Sequence, residues 1–236
     1  MKALSRILPK PAVLFLLQKF EKRDTDLGRR AKGRLRRLRV RASVQTFRER
    51  CAKLGRNDIC MDCGANVGAV TVQMAATGAT VHAYEPDPRN FDALEAAVGH
   101  LPNVKLHMVA LGATEGQATL RRLHDKFGTD KGRGESSSTY FKDPALFSDN
   151  VVQVEQRAFG TEVTRLGGRI ALVKMDIEGA EFEILPQVFA DPERQGFDAL
   201  FVETHERMAP SEIPVMERMR RQAARLSAPY ISLDWP

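Results

Sequence analysis

Four residues in the C-terminal half of this chain, Asp176, Glu178, Glu203 and His205, are of types that move protons or hold cations. Asp176 closes a strongly apolar segment, Ile170–Asp176, that reads as a strand. Glu203 closes a second, Ala199–Glu203, with Thr204 and His205 just beyond it. If the two strands are neighbours, Asp176, Glu178, Glu203 and His205 converge on one pocket. Carboxylates beside an imidazole can align a hydroxyl and remove its proton. The same set could bind a divalent cation that lowers the pKa of that hydroxyl. The competing explanation is helix capping by Glu178 and Glu181, with surface acids elsewhere. The other histidines, His82, His100, His107 and His124, read as structural or exposed.

Two further features sit at expected strand ends. Asp62-Cys63-Gly64-Ala65-Asn66-Val67-Gly68 leaves a short strand at Ile59–Asp62 and enters a helix. Gly64 and Gly68 allow close backbone approach, and the free N–H groups of the helix start suit a carboxylate. This is not the G-x-G-x-x-G of a dinucleotide site, and a tight strand-to-helix turn would look similar. Glu85 ends the next strand, Thr80–Tyr84, 23 residues after Asp62. A carboxylate there accepts the hydroxyls of a ribose, so a nucleoside ligand is expected. A solvated turn acid is the alternative.

The elements that must position these residues alternate. A helix after Gly68 carries Val67, Val70, Thr71 and Met74 on one side and stops at Gly78. Asp87 caps the next helix, with Pro88 in its first turn and Gly99 near its end. Strands are expected at Val104–Met108, Gln117–Leu123, Val151–Arg157 and Tyr230–Leu233. Helices are expected from about Glu178 to Phe189 and from Ser211 to Leu226. Repeated β-α-β units imply a doubly wound parallel sheet with helices on both faces, the α/β class. In such a sheet ligands bind at the carboxyl ends of the strands, where strand order reverses. The stretch Gly128–Thr139, rich in glycine and serine, interrupts the alternation. It is expected to close over a bound substrate or to form a surface loop.

Charge divides the chain in two. Residues 1–56 hold 18 Lys/Arg against 4 Asp/Glu, and residues 57–236 hold 18 against 26. The overall +6 therefore describes a basic N-terminal stretch and not the body. We divide the chain into a basic, partly helical arm at 1–50 and a catalytic domain at 51–236. Within Arg29–Arg41, Leu35 and Leu38 stand at helical spacing among seven arginines and a lysine, a narrow stripe for docking. Such an arm suits an anionic membrane surface. Nucleic acid is less favoured, because few aromatic residues are available for base stacking. Cys51, Cys60 and Cys63 are too few, and odd in number, for a disulfide framework. Cys60-x-x-Cys63 lacks the second pair a zinc site needs. No apolar run is long enough to span a membrane, and a cytoplasmic, membrane-peripheral location is expected.

Taken together these strings resemble the FkbM-type methyltransferases. The matching pieces are Met61–Gly68, Tyr84-Glu85-Pro86, Ala110-Leu111-Gly112, Ser136-Ser137-Ser138, Val173–Glu181 and Val202–His205, in the family's order across about residues 58–206. The resemblance implies a Rossmann-like class I methyltransferase sheet, S-adenosylmethionine as cofactor, and O-methylation of a sugar, glycan or secondary-metabolite hydroxyl. Carried over by position, Asp62, Gly64, Asn66 and Gly68 would line the methionine end of the cofactor. Glu85 would hold its ribose, and Ala110 and Leu111 would lie near its adenine. Asp176, Glu178, Glu203 and His205 would face the acceptor. Metal dependence is left open, as are an RNA-modifying role for the arm and a non-catalytic nucleoside-binding role. Two departures stand out. Cys63 replaces the usual aliphatic residue, and the given sequence stops at Trp235-Pro236, so a reduced closing hairpin is expected.

Overall fold

A computed structural model describes residues 25–124 and 137–236. Its centre is a six-stranded, wholly parallel sheet in the order β10-β9-β8-β1-β2-β3. The strands are β1 (Ile59–Cys63), β2 (Thr80–Tyr84), β3 (Val104–His107), β8 (Ile170–Met175), β9 (Ala199–Val202) and β10 (Tyr230–Ser232). From β1 the chain steps outward through β2 and β3, then returns to the other side of β1 as β8. The reversal therefore lies between β1 and β8, and their carboxyl ends form the crevice this topology provides. Cys63 pairs with Met175, and the Asp176 N–H donates to the Cys63 carbonyl at 3.0 Å. Where a closing hairpin was in question, the edge strand β10 runs parallel to β9.

Both faces of the sheet are covered, and β1 shows it residue by residue. Met61 and Cys63 pack among Phe182, Leu185 and Met216, while Cys60 packs among Phe47 and Met74. Side chains alternate along a strand, so residues three apart point to opposite faces. Cys60 and Cys63 therefore cannot share a metal or a disulfide. Burial pushes Cys60 up to about 12 and Cys63 also upward, so both behave as small apolar residues. Helices α1 (Asp26–Cys51), α2 (Ala69–Ala75) and α3 (Pro88–Val98) serve the Cys60 face. Helices α4 (Phe159–Arg165), α5 (Glu181–Ala190) and α6 (Ile213–Ala223) serve the other.

Helix α1 carries the basic stretch. Thr25 caps it by accepting from the Gly28 N–H, and Arg48 and Arg50 lie at its C-terminal end, as the helix dipole favours. Ala31, Leu35, Ser43, Phe47 and Cys51 are buried in a stripe at multiples of three and four residues. Ser43 hydrogen-bonds Ser232 at 2.8 Å, and Phe47 meets Trp235 and Phe201 with ring centroids 4.4 and 5.3 Å apart. The second half of this helix thus belongs to the core, and the boundary placed at residue 50 falls at its last turn.

A second sheet, in the order β4-β7-β5-β6, stands beside the first. It comprises β4 (Ala110–Gly112), β5 (Gly116–Leu123), β6 (Ser137–Ser138) and β7 (Phe147–Ala158). The sequence signals β5 and β7 as strands, but their assembly into a separate sheet is a tertiary outcome. Most of the Gly128–Thr139 segment, Ser136 included, lies outside the described residues.

Candidate active site

The β1 loop and the β8 loop touch. Gly64 adopts φ +75°, and a Cβ built on it would fall 1.7 Å from the Asp176 carbonyl oxygen. Only glycine permits that approach. The N–H groups of Gly64 and Ala65 both donate to the Tyr84 carbonyl, which holds the loop against the end of β2. Asn66 also takes a left-handed conformation, φ +50°, which asparagine tolerates better than most residues. Its N–H donates to Glu85 Oε2 at 2.8 Å, and the Asp87 N–H donates to Oε1 at 2.9 Å. Burial pushes the Glu85 carboxyl up to about 7, and those two backbone donors hold it from rising further. The Asn90 side chain also hydrogen-bonds this carboxylate, which lowers its pKa in the same sense.

These groups line a cleft that opens to solvent. Gly64, Asn66 and Glu85 form part of its lining. Val109, Ala110, Leu111 and Leu120 supply an apolar wall, and Asp176, Ile177 and Glu178 complete it. Of the residues carried over to the cofactor, Gly64, Asn66, Glu85, Ala110 and Leu111 are brought together here. Ser137 and Thr139 also reach the cleft from the second sheet.

Asp62 and Gly68 do not line it, which corrects their expected place. Asp62 lies fully buried beneath the loop, accepting from the Thr71 hydroxyl at 2.7 Å. Its other oxygen faces Lys174 Nζ at 3.3 Å. Gly68, at φ +90°, caps α2 where a Cβ would come 2.9 Å from Leu94 of α3. Its absent side chain serves helix packing. Both residues shape the loop from behind.

Lys174 is the residue this reading overlooked. It is buried on β8 and donates to the Gly64 carbonyl at 2.6 Å, with Asp62 at 3.3 Å and Asp176 at 3.6 Å. Burial alone would lower its pKa, but Asp62 and Asp176 raise it on balance, so it stays a cation. The available signal was a lysine inside an otherwise apolar strand, where an unpaired charge is not tolerated.

Of Asp176, Glu178, Glu203 and His205, only Asp176 and Glu178 line the cleft; His205 lies against these two, and Glu181 joins them from behind. Glu178 takes φ +51° and Gly179 φ +108°. Helix α5 therefore starts at Glu181 and not near Glu178, because left-handed residues cannot continue a right-handed helix. Glu181, read as a capping residue, is fully buried. It accepts from the Gly179 N–H at 2.8 Å, from the His205 N–H at 3.0 Å and pairs with His205 Nδ1 at 2.9 Å. The opposite ring nitrogen, Nε2, lies 3.3 Å from Glu178 and 3.7 Å from Asp176. Burial would lower the His205 pKa, but Glu181 and then the Glu178 and Asp176 carboxylates carry it up to about 9. Glu203, half-buried at the tip of β9, is pushed up to about 7 by burial and by Asp176. It does not line the cleft itself.

The second sheet is tied to both ends of this site. Arg122 of β5 makes two 2.7 Å hydrogen bonds to Asp87, the buried cap of α3 beside Glu85. Ser138 of β6 donates to the Glu178 carbonyl at 2.6 Å and accepts from the N–H groups of Tyr140 and Phe141. Among the remaining histidines, His82 and His107 form a stacked pair on β2 and β3, His100 is exposed and His124 lies at the surface.

The sheet order, the glycine loop at the reversal and the acid that follows β2 define a doubly wound α/β fold with a cleft suited to a nucleoside. The profile of the Methyltransferase FkbM domain matches residues 62–226, and the chain belongs to that family. No curated protein matches. Among solved structures, one is a Pyrococcus horikoshii protein provisionally described as an RNA methyltransferase. It is 14% identical, with a TM-score of 0.35, over 91% of this chain and 82% of that one. Another is a Listeria monocytogenes protein provisionally described as an S-adenosylmethionine-dependent methyltransferase. It is also 14% identical, with a TM-score of 0.24, over 53% of this chain and 79% of that one. At such scores neither carries weight beside the family match. No helix among the described residues is long and apolar enough to cross a membrane.

Proposed function

We propose that this enzyme transfers the methyl group of S-adenosylmethionine to a hydroxyl of a sugar, glycan or secondary metabolite. The observation that carries the reading is a single cleft with a ribose-type acid, Glu85, in its lining together with the acids Asp176 and Glu178. The cofactor supplies an electrophilic methyl carbon on a cationic sulfur. The residues present suit it chemically: an apolar wall for a base, a carboxylate for the ribose hydroxyls, and acids compatible with a cation. Gly64 keeps the two loops together beside that space, since their close approach leaves no room for a Cβ.

In this reading Asn66 and Glu85 orient the nucleoside, and Ala110, Leu111 and Leu120 exclude water from its base. Asp176 and Glu178 hold the acceptor hydroxyl in line with the methyl carbon. They are the carboxylates to which its proton can pass. Lys174 acts on the reaction through the loops, by holding the Gly64 carbonyl and Asp176.

The test is calorimetry with S-adenosylmethionine, followed by incubation of the full chain with methyl-labelled cofactor and a panel of glycans, polyols, lipids and RNA. Cofactor binding and label in a base-stable ether on a hydroxylated acceptor support the reading. Absence of cofactor binding, or label only in RNA, overturns it.

A further inference from the structure

We propose that Asp176, Glu178 and His205 form a binding site for one divalent cation of the Mn2+ type at the acceptor end of the cleft. Each residue offers one ligand atom, and the three atoms lie within 4.8 Å of one another. Two carboxylates and one imidazole match the charge of a divalent ion, and the mix of oxygen and nitrogen donors suits Mn2+, Fe2+ or Zn2+ better than Ca2+.

Three features separate this cluster from a chance gathering of acids. The first is the orientation of the imidazole. Glu181 is fully buried and engages Nδ1 at 2.9 Å, which leaves Nε2 as the atom presented to Asp176 and Glu178. A carboxylate on the far nitrogen is the arrangement that fixes a metal-binding histidine and raises its basicity. His205 is itself more than nine-tenths buried, so the ring has no freedom to turn away.

The second is the set of distances. Nε2 lies 3.3 Å from Glu178 Oε2 and 3.7 Å from Asp176 Oδ1. A direct charge-assisted hydrogen bond closes to about 2.7–2.9 Å. Ligand atoms around a cation at about 2.1 Å stand roughly 3.0–3.4 Å apart, at the edges of an octahedron or tetrahedron. Of the two observed spacings, 3.3 Å falls within this range and 3.7 Å lies just beyond it.

The third is access. Asp176 and Glu178 each keep 28% of their side-chain surface exposed and both line the cleft. Three protein ligands leave positions open toward the cavity where an acceptor's oxygens would sit. Through those positions a bound cation would anchor a hydroxyl and lower its pKa. That purpose rests on the methyl-transfer reading; the binding site does not.

Electron paramagnetic resonance with Mn2+ tests the site without any turnover. The full chain, stripped with chelator, is titrated with Mn2+ in the absence of cofactor. One Mn2+ per chain is expected, with electron spin-echo modulation from a single imidazole nitrogen. Asp176→Asn and His205→Ala should each weaken binding at least tenfold, and Glu181→Gln should weaken it less while keeping the nitrogen signal. Circular dichroism of each variant checks that it is folded, and the wild-type nitrogen signal stands even if a variant is not. No Mn2+ bound at millimolar concentration, or Mn2+ bound without nitrogen coupling, overturns the proposal. Calorimetry with S-adenosylmethionine in chelator separates the two readings. Cofactor binding without Mn2+ binding removes only the cation site, whereas Mn2+ binding without cofactor binding removes only the methyl-transfer reading.

Discussion

Lys174→Met is the substitution that most directly tests how the two loops are held. Methionine keeps the aliphatic stem and deletes the charge. Three contacts are lost: a 2.6 Å hydrogen bond to the Gly64 carbonyl, a 3.3 Å approach to Asp62 and a 3.6 Å approach to Asp176. Asp176 is partly exposed, so water compensates much of that loss. Asp62 is fully buried, and its Oδ1 accepts no hydrogen bond among the described residues, so Lys174 is its nearest compensation. Removing one partner of a buried ion pair costs about 3–5 kcal/mol, because the remaining charge is stranded. Against a total stability of about 5–15 kcal/mol that is a large fraction. For a chain of this size it corresponds to a fall in Tm of roughly 6–20 °C. Urea denaturation measures the loss. The double variant Asp62→Asn/Lys174→Met should be more stable than the sum of its parts by about 2 kcal/mol, since the stranded charge is gone. A loss below about 1 kcal/mol for Lys174→Met, or strict additivity in the double variant, would refute the argument that this pair secures the loop.

Three other outcomes are expected. Gly64→Ala places a methyl group against the Asp176 carbonyl at a left-handed φ, so it should abolish cofactor binding and lower Tm sharply; wild-type calorimetry and melting would contradict the close approach. Glu85→Gln should weaken S-adenosylmethionine binding about 10- to 100-fold, from the loss of charge-assisted hydrogen bonds worth about 1.5–3 kcal/mol. The folded carboxyl titrates near 7 and an unfolded one near 4.5, so its contribution to stability is present at low pH and is lost as pH rises through that window. Urea midpoints from pH 4 to 8 should show this slope in the wild type and a flatter one in Glu85→Gln. His82 shows the opposite sign. Burial first, then His107 and Lys105, lower its pKa to about 4, so its contribution is complete above about pH 6.5 and is lost as pH falls toward 4. A His82→Gln variant should lose less stability than the wild type between pH 7 and 4.5, and an unchanged acid slope would assign that sensitivity elsewhere.

The chemistry-bearing residues were legible because strand periodicity marks where a side chain must leave the core. Asp176 and Glu203 follow apolar strands, and Asp87 and Pro88 begin a helix as their types dictate. Glu85 was legible for the same reason, as the first polar residue after β2. The roles of Asp62, Lys174 and Glu181 were not. Each is buried through a partner far along the chain: Lys174 with Gly64, Glu181 with His205. Local pattern distinguishes a capping or surface charge from a buried, paired one only when the partner's position is known.

By itself the sequence determined the alternation of strands and helices, the glycine loop and the acids at the strand tips, because these follow from short-range periodicity and backbone conformational preference. It also set the charge asymmetry between the two parts of the chain. Only the tertiary structure decided that the β1 and β8 loops meet at the reversal of strand order. It alone decided that a second sheet walls the cleft, that half of the basic helix belongs to the core, and that His205 turns Nε2 toward two acids. Each depends on contacts between residues tens of positions apart, whose energy exists only once the chain has packed.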